Sequence, residues 1–365
     1  MKLVLCGDFV PTAVTVPAFE RGDLAALMGS TIDIIKRGDF AIANLECALT
    51  DSEYRIKKCG PNLKGKRSYA RVYKDCGFTH LGMSNNHVMD FGIAGFRDTV
   101  AAVREQGMTP FGYGENDQDS RRPLYLRKDG QTVAIIAVCE HEYSYALPDR
   151  FGANPFDPFD TMEDIAEAKH LADKVIVMYH GGKEQCEYPS PRLRKACRAM
   201  VRAGADLVLT QHSHCIGCKE VYNGAVIVYG QGNFNFVGYS THPHWRSGLM
   251  ITADIADEIT PEYLPVVITD TGVTLAEGTQ KQQILEAFEQ RSRILLDDKQ
   301  WQQAWLDFCN DPERKYYRTA PAKAFADIPA GELCGQVFPH YLDCETHLDV
   351  WQTVFKTWHW DNNDA

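Results

Sequence analysis

Short apolar runs alternate with amphipathic stretches from Met1 to about Gly230. Runs with the length of buried strands lie at 3–6, 40–43, 78–83, 175–179 and 207–210, with further strand candidates at 132–138, 225–229, 248–254 and 262–269. Amphipathic stretches at 23–36, 93–106, 162–172 and 192–203 predict helices, and Gly107 and Gly204 stand where helix C-caps are expected. This alternation is typical of an α/β domain.

The pattern changes beyond about Gly278, where Gln, Glu, Asp, Lys and Trp become frequent. Helical periodicity at 280–296 and 299–309 predicts that residues 278–365 form a helical C-terminal extension packed on a domain spanning 1–277. Near the end, Trp351, Phe355, Trp358 and Trp360 favour a helix docked on the core, with a homodimer contact as the alternative. The segment 149–160, rich in Pro, Phe and Asp, is predicted to be a long surface loop.

Charge narrows the class of partner. With 38 Lys and Arg against 49 Asp and Glu, the net charge is -11, and no basic stripe is available to bind a nucleic acid. The N-terminal apolar run is too short for a signal peptide, and no run of about 18 apolar residues predicts membrane insertion. We therefore expect a cytoplasmic protein whose 12 cysteines stay reduced.

Five of the apolar runs end in residues that bind metal ions. These residues are Asp8, Glu46, the pair Asn86 and His87, His180, and His212 with His214. Loops at strand ends are where enzymes commonly place their chemistry. Carboxylate, amide and imidazole donors suit Mn, Fe or Zn, so the pattern predicts a divalent transition-metal site built from several strand ends.

The turn Ser84-Asn85-Asn86-His87, followed by Asp90 and Gly92, is the most informative single motif. An Asn oxygen can bind a hard ion, and a neighbouring His that is not a ligand can protonate a leaving group or stabilise an oxyanion. We assign these roles to Asn86 and His87, with Asp90 orienting the imidazole. The alternative is an Asn and Asp turn that caps a helix.

Spacing adds detail to the metal site. A period of two places Asn44 and Glu46 on one side of their strand, and it presents His212 and His214 together. Glu46 is then able to bridge two cations, and the two histidines are able to bind neighbouring ions. The turn 230–234 matches no nucleotide-binding fingerprint, and we interpret it as a support for the site, with Asn233 as a hydrogen-bonding residue.

A basic cluster lies between residues 55 and 67. It consists of Arg55, Lys57, Lys58, Lys64, Lys66 and Arg67. It is either a solvated loop or a local attraction for an anionic substrate. For the second interpretation, Lys58 and Arg67 join Asn44 and Asn233 as candidate substrate-binding residues.

Taken in order, these motifs resemble those of the CapA proteins, a family named for bacterial poly-γ-glutamate capsule synthesis and related to the calcineurin-like metallophosphoesterases. The resemblance rests on Gly7-Asp8, Asn44-Leu45-Glu46, Asn85-Asn86-His87 with Asp90 and Gly92, His180-Gly181-Gly182, His212-x-His214 and Gly232-Asn233-Phe234, and it covers residues 1 to about 255. It implies a four-layer sandwich of two mixed sheets flanked by helices. It also implies one ion held by Asp8, Glu46 and His214, and a second held by Glu46, Asn86, His180 and His212.

The chain departs from the phosphoesterase pattern at its first motif. That pattern begins Asp-x-His, whereas here Phe9 and Val10 follow Asp8. The first ion thus lacks one imidazole, and both a mononuclear and a dinuclear site are compatible with the sequence.

The hypothesis from the sequence is a metal-dependent hydrolase, of phosphoesterase type, acting on an anionic small molecule or polymer precursor in surface polysaccharide or poly-γ-glutamate metabolism. One alternative is an amide or peptide hydrolase, or a transferase, acting on a glutamate-containing compound. Another is a non-catalytic, metal-stabilised accessory protein for capsule biosynthesis.

Overall fold

The computed structural model describes residues 1–314, 316–319 and 337–360, apart from the side chains of 337–339 and 356–360. Strands β1 to β18 span Lys2–Phe9, Phe40–Leu45, Ala48–Leu49, Lys64–Gly65, His80–Gly82, Thr109–Phe111, Tyr113–Gly114, Leu124–Lys128, Gln131–Cys139, Gly152–Ala153, Lys174–His180, Leu207–Gln211, Ile216–Tyr222, Ala225–Gln231, Asn233–Asn235, Ser247–Ile255, Ile259–Ile268 and Val273–Leu275. Helices α1 to α12 span Val16–Arg21, Leu24–Met28, Thr31–Arg37, Ala70–Asp75, Gly92–Glu105, Asp117–Ser120, Asp160–Leu171, Pro191–Ala203, Gly278–Leu296, Asp298–Asn310, Val337–Asp343 and Glu345–Trp360.

Two large mixed sheets organise these elements. The first has the order β18-β17-β16-β1-β2-β5-β6, with β15 also paired to β1, and the second has the order β13-β14-β12-β11-β9-β8. Strands β1, β2, β5 and β6 run parallel, and so do β9, β11, β12 and β14. In open sheets of this kind, ligands bind beyond the carboxyl ends of the parallel strands.

The chain forms four layers because successive side chains of each strand face opposite sides of the sheet. In β1, Leu3 and Leu5 pack between the sheets with Ile176 of β11, whereas Val4 and Cys6 face helices on the outer side. On the outer face of the second sheet, a separate cluster joins its strands to α7 and α8. The predicted sandwich of two mixed sheets flanked by helices is therefore confirmed.

Two local predictions were wrong. The predicted helix at 23–36 is interrupted, because Gly29 adopts φ 46° and separates α2 from α3. The predicted surface loop at 149–160 is internal over 151–156, where Phe151 is only 5 % exposed and β10 pairs with β7, and it is exposed at its ends, where Phe159 is 82 % exposed. Proline and aspartate suggested exposure there, but Phe151 and Phe156 of the same segment pack inward.

The C-terminal helices contact the sandwich at several points. Phe288 of α9 lies in the core between the sheets, and Leu295 and Trp301 join the cluster beneath the second sheet. Trp351 of α12 packs in a smaller cluster with Trp305, while the side chains of Trp358 and Trp360 lie outside the described residues. The boundary at 277 and the homodimer contact stay predictions. Within the described residues, no helix has the length and apolar character needed to span a bilayer.

His80 of β5 gives the fold a measurable pH dependence. The ring is 8 % exposed, packs against Phe40 and shares a 2.8 Å hydrogen bond with Thr79, and burial lowers its pKa from 6.5 to about 4. The folded state thus binds this proton more weakly than the unfolded state. The neutral His80 ring therefore contributes about 2–3 kcal/mol to the free energy of unfolding above pH 6.5. This contribution is lost as the pH falls from 6.5 towards 4.

We therefore expect the free energy of unfolding to fall less steeply between pH 6.5 and 4 in His80→Asn than in the wild type. Urea unfolding at several pH values measures this difference. The matched control is His170→Asn, since His170 lies at the surface end of α7. Equal slopes in wild type and His80→Asn would contradict the assignment.

Candidate metal centre

Residues far apart in the sequence converge where the parallel strands end. Asp8 lies near the end of β1, Glu46 directly follows β2, His180 is the last residue of β11, and His212 directly follows β12. Two groups of potential ligands result, Asp8 with Glu46 and His214, and Glu46 with His180 and His212. In each group the ligand atoms lie within 4.8 Å of one another, and all of these residues are buried.

Glu46 belongs to both groups, and its carboxylate is unusual. The residue is 0 % exposed, and neither carboxylate oxygen has a hydrogen-bond partner among the described residues. Burial and the neighbouring Asp8 raise the pKa of Glu46 well above its usual range. A buried carboxylate without a hydrogen-bond partner is costly, and a cation bound in each group would satisfy its two oxygens. The donor set therefore fits a bridged pair of metal ions.

The second group is held in the protonation state that metals require. Burial lowers the pKa of His180 and of His212 to about 4, so both imidazoles are neutral at pH 7. His180 Nε2 lies 3.0 Å from Asn86 Oδ1, 3.2 Å from His212 Nδ1 and 3.3 Å from Glu46 Oε1. Four potential donors, the predicted set for the second ion, thus meet around one point.

In the first group the histidine has a raised pKa, unlike His180 and His212. Burial lowers the pKa of His214, but Glu46 and a hydrogen bond with Asp8 outweigh it and raise this pKa to about 9. His214 Nδ1 lies 2.8 Å from Asn233 Oδ1 and 3.4 Å from Asp8 Oδ2. A proton on His214 places a positive charge beside Asp8 and Glu46, and a divalent cation bound in this group would take over that role.

The loop after β12 holds its histidines in a strained backbone. His212 has φ 86° and His214 has φ 53°, in the left-handed region that residues other than glycine rarely adopt. The His214 ring also packs on Trp245, with 4.3 Å between ring centroids. Such outliers cluster at functional sites, because packing around them holds the side chains in place.

Asn44 and Asn233, predicted to contact substrate, are engaged with the potential metal ligands. Asn44 Nδ2 donates to Asp8 Oδ1 at 2.7 Å and lies 3.1 Å from His180 Nδ1. Asn233 is hydrogen-bonded to His214, and it is the residue of β15 that lies opposite Asp8 of β1 in the sheet. These contacts would hold the side chains of a metal centre in orientation, as outer partners of metal-binding residues usually do.

His87, Asp90 and Lys58 form a connected group beside the second set of ligands. His87 Nδ1 lies 2.6 Å from Asp90 Oδ2, and Lys58 Nζ donates to Asp90 Oδ1 at 2.7 Å. Burial and the Lys58 charge lower the pKa of His87, although Asp90 opposes them. The hydrogen bond to Asp90 occupies Nδ1, so Nε2 is the nitrogen available to a substrate.

Three other members of the basic cluster, Lys64, Lys66 and Arg67, have acidic partners outside the site. Arg67 pairs with Asp98 and Glu105 of α5, and Lys64 pairs with Glu53. Neither partner of Arg67 belongs to the metal-ligand groups. Lys58 is the member of the cluster whose side chain is buried, at 2 % exposure, and joins the site.

The sequence interpretation missed Glu142 and Asn85. Glu142 Oε2 accepts from Asn86 Nδ2 at 2.7 Å and lies 3.9 Å from His212 Nε2. Asn85 Oδ1 accepts hydrogen bonds from the amides of His87 and Val88, so Asn85 is the residue that stabilises the turn. Asn86 instead contacts His180. Glu142 follows the end of β9, and the rule that located the other ligands would have included it.

Val10, the departure from the phosphoesterase pattern, is 0 % exposed and lies in the apolar core with Phe9. Its side chain offers no donor. The first group therefore consists of Asp8, Glu46 and His214.

Comparison with known proteins agrees with the motifs. The chain matches the family described as bacterial capsule synthesis protein PGA_cap over residues 2–237. It is 34 % identical over 207 residues to the PGA biosynthesis protein CapA of Bacillus subtilis strain 168, and 32 % identical over 211 residues to the capsule biosynthesis protein CapA of Bacillus anthracis. These alignments cover 56 % and 55 % of this chain and 54 % and 51 % of the relatives, so the chain spans about half the length of the curated relatives it matches.

Two solved structures show a weaker likeness. A hypothetical protein from Thermus thermophilus aligns over 76 % of this chain and 100 % of its own, with 16 % identity and a TM-score of 0.47. A putative 5'-nucleotidase from Staphylococcus aureus aligns over 79 % of this chain and 58 % of its own, with 17 % identity and a TM-score of 0.44. Neither likeness bears on what this chain binds. The family match, which extends over most of the sandwich, identifies the chain as a member of the bacterial capsule synthesis protein family PGA_cap.

Proposed function

We propose that this protein is a metal-dependent hydrolase that cleaves a phosphoester in an anionic substrate of capsule or poly-γ-glutamate metabolism. The observation that carries the proposal is Glu46, a fully buried carboxylate that two groups of potential metal ligands share and whose two oxygens have no hydrogen-bond partner among the described residues. A purely structural carboxylate in that position would destabilise the fold without compensation. The relatives' names, which refer to capsule and PGA biosynthesis, support the substrate class.

In this proposal Asp8, Glu46 and His214 hold one divalent ion, and Glu46, Asn86, His180 and His212 hold the other. When bound, such ions stabilise charge on a phosphoryl oxygen and lower the pKa of water towards neutrality. Asn44 and Asn233 keep the ligands Asp8 and His214 in their orientations.

The chain's own contribution to proton transfer comes from His87. In this proposal Nε2 is the nitrogen that contacts the substrate, because the hydrogen bond to Asp90 occupies Nδ1 and fixes the ring. Burial and Lys58 favour the neutral ring, and the negative charge of a bound phosphoester raises the His87 pKa again. His87 then donates its proton to the leaving oxygen. Lys58 holds Asp90 in place and adds positive charge beside an anionic substrate.

Elemental analysis of tag-free protein purified without chelator, followed by hydrolysis assays, tests this function. We expect about two transition-metal ions at this centre and release of inorganic phosphate from phosphoesters after loading with Mn, Fe or Zn. The parallel assay measures release of free amino groups from γ-glutamyl amides. Release of amine without release of phosphate would show that the protein hydrolyses amides and would contradict the phosphoesterase proposal.

A different class of function has its own support. A relative from Mycobacterium tuberculosis strain H37Rv, 27 % identical over 234 residues, is named a probable polyglutamine synthesis accessory protein. Metal binding without turnover on either class of substrate would favour a non-catalytic accessory role. Protein that binds no ion after incubation with Mn, Fe and Zn would contradict the metal centre itself.

A further inference from the structure

A third group of potential ligands lies beside the metal centre, and the C-terminal helices supply most of it. It comprises Glu142, His340 and His347, with ligand atoms within 4.8 Å of one another. His340 belongs to α11 and His347 to α12, beyond the residues that match the family. Two imidazoles and a carboxylate form a donor set that suits Zn²⁺.

His340 is the residue that points to a bound ion. Its side chain is 9 % exposed, and its Nδ1 has no hydrogen-bond partner among the described residues. That nitrogen lies 3.5 Å from Glu142 Oε1. The ring stacks on Tyr143 at 5.2 Å between centroids and an 11° interplanar angle, so its orientation is fixed. A buried nitrogen held in place without a partner requires an explanation, and a ligand in this group provides one.

His347 has the support that metal-binding histidines usually have. It is 8 % exposed, and its Nδ1 shares a 2.5 Å hydrogen bond with the hydroxyl of Tyr317. Such a bond fixes the tautomer and the ring orientation and leaves the other nitrogen to a metal. The ring centroids of His340 and His347 are 4.4 Å apart.

The loop that carries Glu142 is the docking surface for these helices. His141 Nδ1 lies 2.7 Å from Glu345 Oε1, Tyr145 donates to Asp343 at 2.5 Å, and the amide of Thr346 donates to Glu140 Oε2 at 3.2 Å. The group is therefore built by the same contacts that hold the C-terminal helices on the sandwich.

We propose that Glu142, His340 and His347 bind a further transition-metal ion, with Zn²⁺ as the ion best suited to the donors. Glu142 also connects this site to the metal centre, because its other oxygen accepts from Asn86 and lies 3.9 Å from His212. The ion joins the C-terminal helices to the end of the sandwich where the metal centre lies.

Zinc content tests the site without reference to catalysis. His340→Gln and His347→Gln are prepared in the wild-type chain and in a Glu46→Gln chain that lacks the bridging ligand, with His170→Gln on α7 as the matched control. Elemental analysis after dialysis against micromolar Zn²⁺ counts the ions, and near-UV circular dichroism monitors the fold. We expect each histidine variant to lose about one ion per chain in both backgrounds, and His170→Gln to lose none.

The Glu46→Gln chain with an intact third group is expected to retain about one ion per chain. Zero ions in that chain would overturn the proposal, even if the histidine variants fail to fold. Unchanged zinc content in folded His340→Gln and His347→Gln would also overturn it. Neither result depends on whether the protein hydrolyses a substrate, so failure of this site is distinguishable from failure of the proposed function.

Discussion

Replacing Glu46 by glutamine is expected to lower the metal content by about two ions per chain and to abolish hydrolysis. Both ligand groups share this carboxylate, and both of its oxygens lack other partners among the described residues. Removing a bridging ligand should weaken binding at both positions by more than about 100-fold, beyond the loss expected for an outer partner. Elemental analysis and isothermal titration with Mn²⁺ or Zn²⁺ measure the effect.

The same substitution should have the opposite effect on the metal-free fold. Burial and Asp8 raise the pKa of Glu46, so ionising it in the folded state is unfavourable. At pH 8 in the presence of chelator, Glu46→Gln is expected to raise the free energy of unfolding by about 1–3 kcal/mol. Glu258→Gln, at an exposed turn, is the control and should change neither quantity. Undiminished metal content in Glu46→Gln would rule out a bridged centre.

Replacing His87 by glutamine is expected to separate turnover from metal binding. His87 directly follows Asn86 in the chain, and its Nδ1 is hydrogen-bonded to Asp90. Loss of a positioned proton donor typically costs about 10²–10⁴-fold, so we expect kcat to fall by that factor with the metal content unchanged. Phosphate release at saturating substrate, with elemental analysis of the same samples, measures both quantities.

Asp90→Asn is the companion variant, because it leaves the imidazole in place and changes the group that orients it. We expect it to give a smaller loss and an altered pH profile of kcat. A His87→Gln protein with full turnover would exclude His87 from proton transfer. A biological role that survives this variant, although turnover is lost, would favour the non-catalytic alternative.

The sequence was sufficient to locate most of the centre, for a physical reason. An apolar run followed by a polar residue marks the carboxyl end of a buried strand, and parallel strands bring those ends together. Asp8, Glu46, His180 and His212 were predicted from that rule, and the structure brings them into contact. The roles of these residues in binding and catalysis stay predictions.

Other features depend on side-chain contacts between distant segments, which periodicity does not reveal. Lys58 and Arg67 belong to one basic run, yet Lys58 joins Asp90 whereas Arg67 pairs with α5. Asn44 stays a candidate substrate-binding residue, and its hydrogen bond to Asp8 was not predicted. Packing of the C-terminal helices on the domain was predicted, but the loop on which they dock was not, because His141 and Glu345 are 204 residues apart in the chain.

The left-handed backbone at His212 and His214 places the stability of this chain in opposition to the proposed metal centre. Each such conformation in a residue other than glycine costs about 1–3 kcal/mol, and glycine would adopt it freely. Selection for thermostability alone would therefore favour glycine at both positions. A variant stabilised without a functional screen would be expected to lose these two imidazoles first, and to lose the proposed capacity to bind metal as its free energy of unfolding rises.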